Sequence, residues 1–122
     1  MSEQFSVKSR VRSFKYAFKG LKIFFVTQHN AWIHLAALLV VSVFGFYLKL
    51  NLHEWVAIVF AVGLVLVTEI INTAIEFLTD HVSPEYHEQA GKVKDIAAAA
   101  VLMASIVALI IAGLVFVPKL IS

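Results

Sequence analysis

Apolar positions dominate three stretches of the chain, residues 31–50, 55–78 and 96–117, which hold 20, 24 and 22 residues. At a rise of 1.5 Å per residue the last of these is about 33 Å long, enough to cross a hydrocarbon core of about 30 Å. Each predicts a transmembrane helix, and the third carries no charged residue. Ahead of them the pattern changes. Val7, Val11, Phe14, Phe18, Leu21 and Phe25 recur with a helical period, and Lys8, Arg12, Lys15, Lys19 and Lys22 follow one residue later. That spacing predicts an amphipathic helix over 7–27, its apolar stripe in the headgroup plane and its lysines reaching outward. The expected fold is an all-α integral membrane protein: one surface helix and three transmembrane helices in a single domain, 1–122, with 79–95 as a polar segment between the second and third spans.

Composition agrees with this picture. The chain is 61% hydrophobic and 15% charged, against about 45–50% and 25% in soluble domains. The spans leave no room for a separate soluble domain, and the charged start contains no signal-peptide h-region. Cysteine is absent, so disulfides and thiolate metal sites are excluded. The net charge of +2 matters less than where the cations lie. Six precede the first span and Lys92 and Lys94 follow the second, whereas Lys49 and Lys119 alone fall on the other side. The positive-inside rule then puts the N-terminus and the 79–95 segment in the cytoplasm. No nucleic-acid partner is implied.

The second span breaks its own apolar pattern. Glu69, Thr73, Glu76 and Asp80 share one helical face, with Asn72 beside them. A carboxylate at the centre of a lipid-facing helix costs roughly 2.5–3.5 kcal/mol on insertion scales, so this stripe must face protein, water or a ligand. A polar packing seam is the simpler reading, but so many ionisable groups exceed what packing needs. Further on, Ser83-Pro84 reads as an N-cap and first-turn proline opening the next helix, with Glu85, Tyr86, His87 and Glu88 in its first turns. There Tyr86 could stack on a base, or the residues could simply be a solvated helix start. Gly91, Lys94, Asp95 and Ala98 share a face, and Lys94 beside Asp95 could be a self-contained ion pair. Ala97 to Ala100 are small enough for a neighbouring helix to approach closely.

Before the first span, Thr27-Gln28-His29-Asn30 and His34 form a polar elbow that can satisfy free helix ends. His29 and His34 are five apart, a poor spacing for joint metal ligation. Trp32 and Trp55 suit opposite membrane interfaces. Carboxylates able to hold Mg²⁺, a lysine for phosphate and a deeper carboxylate that a lipid headgroup could reach are together the parts of a phosphoryl transfer. No Gly-rich phosphate loop is present.

Glu69-x-x-Asn72-x-Ala74-x-Glu76-x-x-x-Asp80, Tyr86-His87 and Lys94-Asp95-x-x-Ala98-x-Ala100-Val101 resemble the signature of the prokaryotic diacylglycerol kinase and undecaprenol kinase family. The similarity extends to Phe18-Lys19-Gly20-Leu21 and Pro118-Lys119-Leu120, nearly the whole chain. The resemblance implies a homotrimer with shared active sites that moves the γ-phosphate of MgATP to a membrane lipid alcohol. It implies Glu69 as the base, with Asn72 beside it, and Glu76 as a Mg²⁺ ligand. Lys94 and Asp95 would bind ATP, with Tyr16, Glu85, Tyr86 and His87 lining its pocket, and Arg12, Asn30, Asp80 and Gly91 would support the site. Family members commonly have glutamate as a second metal ligand where this chain has Gln28, so the metal shell departs from the pattern; His29 or Asp80 could compensate. Asn30-x-x-x-His34 resembles the undecaprenol branch more than the diacylglycerol branch. Two other readings use the same residues: a proton-coupled transporter relaying through Glu69 and Glu76, and a non-enzymatic assembly subunit.

Overall fold

The computed structural model describes residues 4–122. Every regular element among them is a helix: α1 Val7–Thr27, α2 His29–Tyr47, α3 Leu52–Val82 and α4 Glu88–Ile121. The last three are each long and apolar enough to cross a membrane, and this is a membrane protein.

The Ser6 hydroxyl starts α1 by accepting from the Ser9 amide (3.3 Å). Val7, Val11, Phe14 and Phe18 remain exposed along it, uncovered by the other described residues, as suits a helix lying in lipid. One extended residue, Gln28, separates α1 from α2, and its amide still closes the last turn of α1 on the Phe24 carbonyl (2.9 Å). The elbow is fixed from both sides. Phe24 and Ala31 are buried in it, and Trp32 Nε1 donates to the Phe25 carbonyl (2.9 Å).

The first apolar run extends to residue 50, yet α2 stops at Tyr47. Lys49 adopts the left-handed conformation (φ 56°), the Leu50 amide donates to the Gly45 carbonyl (3.0 Å) and the Lys49 amide to Phe46 (3.3 Å). This is a Schellman ending, and Leu50 is apolar because the turn buries it. Asn51 follows at once with a reciprocal capping box, each of the Asn51 and Glu54 side chains bonding the other's amide at 3.0 Å. Glu54 also meets Lys119 Nζ (3.0 Å), tying α3 to the last turn of α4. Close by, Gly45 lies against the Trp55 ring, where a β-carbon would overlap the indole.

α3 and α4 pack along much of their length, the close antiparallel pair expected of a short connection. Ile58, Ala61 and Val65 are buried on α3, as are Ala97, Ala104 and Val115 on α4. Leu50, Ile58 and Val115 form a buried apolar cluster, with Val41, Trp55 and Ile111 around them.

Ser83 and Pro84 do not open a helix. The Ser83 amide completes α3 on the Thr79 carbonyl (2.8 Å), and its hydroxyl donates to Glu85 O (3.2 Å) rather than capping new amides. Pro84 disfavours a helical conformation at the residue before it, which fixes the break. α4 starts four residues later: His87 is its N-cap, with Nδ1 accepting from the Gln89 amide (3.2 Å). The polar segment 79–95 is therefore the last turn of α3, a five-residue link and the first two turns of α4.

Candidate functional site

The buried face of α3 does not end with its apolar residues. Ile58, Ala61 and Val65 are followed on the same face by Glu69 and Thr73, only 7% and 5% exposed. Helical periodicity thus carries a carboxylate into the packed seam of the bundle. Thr73 bonds back to the Glu69 carbonyl (2.9 Å), so its hydroxyl is satisfied within α3. Glu69 finds its partner on another helix: Oε1 lies 3.0 Å from Nε2 of His34 on α2. His34 was not among the residues that the sequence put in the site. The available signal was its place with Leu38 and Val41 at i, i+4 and i+7, the stripe by which α2 faces α3.

One turn beyond, Asn72 Nδ2 donates to Glu76 Oε1 (3.2 Å). Asn72 Oδ1 is buried with no partner among the described residues. The amide orientation follows from chemistry, because an ionised Glu76 can only accept and must face the NH₂ group. What remains is an acceptor aimed at no partner among the described residues. Both groups are oxygen donors suited to a hard cation, although no three His, Asp or Glu side chains converge on a metal position among the described residues.

At the end of α3 the Lys94 ammonium binds Asp80 directly, joining the two helices across their connection. This replaces the pairing of Lys94 with its neighbour Asp95 that adjacency allowed; consecutive helical residues point about 100° apart, and Asp95 is exposed. Asp80 is accordingly engaged through one carboxylate oxygen, Oδ1. The other residues assigned to nucleotide binding are open. Tyr86 is 91% exposed, with its ring edge over Gly91, and Tyr16, Glu85 and His87 are also exposed. Glu85, Tyr86 and His87 belong to the link and the cap, not to helical turns. Gln28 sits at the elbow, its amide nitrogen donating to Thr27 Oγ1 (3.3 Å). Arg12, His29 and Asn30 are exposed.

The side chains form a graded series along one seam. A buried carboxylate held by an imidazole comes first, then an amide–carboxylate pair with a spare acceptor, then a lysine–aspartate bridge opening onto exposed polar groups. Starting one turn before Glu69, a cavity of about 280 Å³ opens between α2, α3 and α4, with His34, Leu38, Val41, Ile58, Val65 and Leu109 in its wall. Its lining is almost wholly apolar, so it admits hydrocarbon.

The chain matches the family described as prokaryotic diacylglycerol kinase over residues 15–116. It is 36% identical over 109 residues to an undecaprenol kinase of Bacillus subtilis, covering 89% of each chain. To a diacylglycerol kinase of Escherichia coli it is 35% identical over 100 residues, 82% of each. A Synechocystis diacylglycerol kinase is 38% identical over 111 residues, 90% of this chain and 63% of that one. The acidic seam and the Lys94 region lie inside the matched span.

Proposed function

This chain belongs to the prokaryotic diacylglycerol kinase family of membrane phosphotransferases acting on alcohol groups, and from that premise we propose that it transfers the γ-phosphate of MgATP to the primary hydroxyl of a membrane lipid alcohol. The observation that carries this reading is the buried Glu69 between an apolar cavity on one side and the Asn72, Glu76 and Lys94 series on the other. A lipid alcohol approaches from the hydrocarbon and a nucleotide from the cytoplasm; they meet at this acid.

In the reaction, Glu69 accepts the hydroxyl proton as the lipid oxygen attacks the γ-phosphorus. The new P–O bond forms while the bond from the γ-phosphorus to the β–γ bridging oxygen breaks, and ADP departs. Lys94 supplies a cation for the phosphates, held in place by Asp80. Tyr16, Glu85, Tyr86, His87 and Asp95 surround the nucleotide, with Arg12, Asn30 and Gly91 in support. Asn72 Oδ1 and the Glu76 carboxylate would hold Mg²⁺, since a buried acceptor without a partner and a carboxylate beside it fit a hard ion. When bound, the metal offsets the charge of the phosphate oxygens. Gln28 would add a neutral oxygen in the position of the family's glutamate.

Three spans give too few walls to enclose such a site. The open faces of α2 and α4, including Ala98, Ala99 and Ala100, suit neighbours in a homotrimer. The cation distribution orients it with the Asp80 end in the cytoplasm of a bacterial inner membrane. Between the two lipid alcohols, Asn30 and His34 favour undecaprenol.

The test offers γ-labelled MgATP with diacylglycerol or undecaprenol separately, in lipid–detergent micelles. Label in the lipid fraction is expected, faster with undecaprenol. A folded protein that labels neither lipid would overturn the reading.

A further inference from the structure

Glu69 has two oxygens, and only one is accounted for. Oε1 lies 3.0 Å from His34 Nε2, with the acid's side chain 10% exposed and the imidazole's 23%. No other side chain hydrogen-bonds the Glu69 carboxylate among the described residues. An ionised carboxylate is acceptor-only, so the contact requires the proton on Nε2. His34 comes from α2, which meets α3 far less extensively than α4 does. It also contributes to the wall of the apolar cavity, so it stands where a hydrocarbon chain would end and the acid begins.

We propose that His34 is a positioning residue for the transfer. Its Nε2–H fixes Oε1 of Glu69 and leaves Oε2 as the oxygen that takes the lipid hydroxyl's proton. The inference rests on the kinase reading, and it adds a division of labour between the two carboxylate oxygens that sequence reasoning about His34 did not contain. A glutamate in an open pocket samples several rotamers; one tied to a neighbouring helix presents one oxygen in one direction.

The substitutions His34→Leu and His34→Gln separate this from a packing role. A glutamine amide can donate from nearly the place of Nε2, whereas leucine fills the space without a donor. With lipid in micelles, His34→Leu is expected to lower kcat about 10- to 100-fold, the usual range for lost orienting partners, with the KM for MgATP unchanged. His34→Gln should recover most of that loss. Thermal melting in detergent accompanies both. Wild-type kcat in a folded His34→Leu protein would overturn the proposal, and so would equal losses in both variants.

A readout independent of turnover is the ¹⁵N spectrum of His34 in full-length wild-type protein. The Nε2–H tautomer is expected, relaxing toward the free-imidazole mixture in Glu69→Ala. An Nδ1–H tautomer would overturn the contact itself. Wild-type protein that labels no lipid yet shows the Nε2–H tautomer would remove the kinase reading, and with it the role of His34, while keeping the geometry.

Discussion

The two halves of α3 present the same face to the bundle and fill it with opposite chemistry. From Asn51 to Val65 the charged groups are answered among the described residues: Asn51 and Glu54 cap each other, and Lys119 meets Glu54. The interior there is Ile58, Ala61 and Val65 against α4. From Glu69 to Asp80 the same rotation around the helix delivers acids. These are tied to one another or to neighbouring helices, but incompletely, because Asn72 Oδ1 is buried without a partner among the described residues. A finished half holds the hairpin together, and an unfinished half waits for something from outside the chain. In a membrane protein an unanswered buried polar atom is expensive, so its persistence points to a ligand.

That contrast can be broken from either side. The largest effect belongs to Glu69→Gln. Loss of a general base lowers kcat about 10²- to 10⁴-fold, while glutamine still accepts from His34, so the melting temperature should hold. Lys94→Met should come next. Removing the proposed charge-assisted contact to phosphate, worth about 1.5–3 kcal/mol, should raise the KM for nucleotide about 10- to 100-fold, as read from initial rates against ATP concentration. It also frees Asp80, so a modest loss of hairpin stability accompanies it.

In the finished half the sign reverses. Gly45→Ala puts a methyl group into the Trp55 ring and must displace it. Overpacking of this kind costs about 1–3 kcal/mol, visible as a lower melting temperature with kcat preserved in the surviving protein. Asn51→Ala removes one side of the capping box, for about 1 kcal/mol, again in stability alone. The smallest change sharpens the comparison rather than breaking it. Gln28→Glu restores a charge where the family places one, and ligand charge tunes affinity for a hard cation; the Mg²⁺ concentration for half-maximal rate should fall several-fold. An unchanged Mg²⁺ titration would remove Gln28 from the metal site.

How much of this was legible in the sequence depends on the range of the interaction. The four helices followed from periodicity, because an apolar run of 20 residues has one inexpensive state in a bilayer. Helix ends were less legible. Leu50 continues an apolar run yet belongs to a turn, since a buried Schellman ending needs an apolar residue just as a helix does. Ser83-Pro84 matches a start signal but is used as a stop: the Ser83 amide closes α3 on Thr79, and its hydroxyl bonds the Glu85 carbonyl instead of capping new amides. The acidic face of α3 could be read because all its members lie on one helix. Partners from different helices could not: Glu69 with His34 spans 35 positions, and Lys94 chose Asp80 at 14 positions over the adjacent Asp95.

The central claim is that chemistry occupies the unfinished half, with Glu69 as the base. Its most direct test counts γ-phosphate delivered to lipid by wild-type protein and Glu69→Gln side by side, at saturating MgATP in the same micelles. Robust transfer by wild type, with no more than a few per cent remaining in a Glu69→Gln protein of equal melting temperature, is the predicted result. Comparable transfer by both would contradict it and move the base elsewhere.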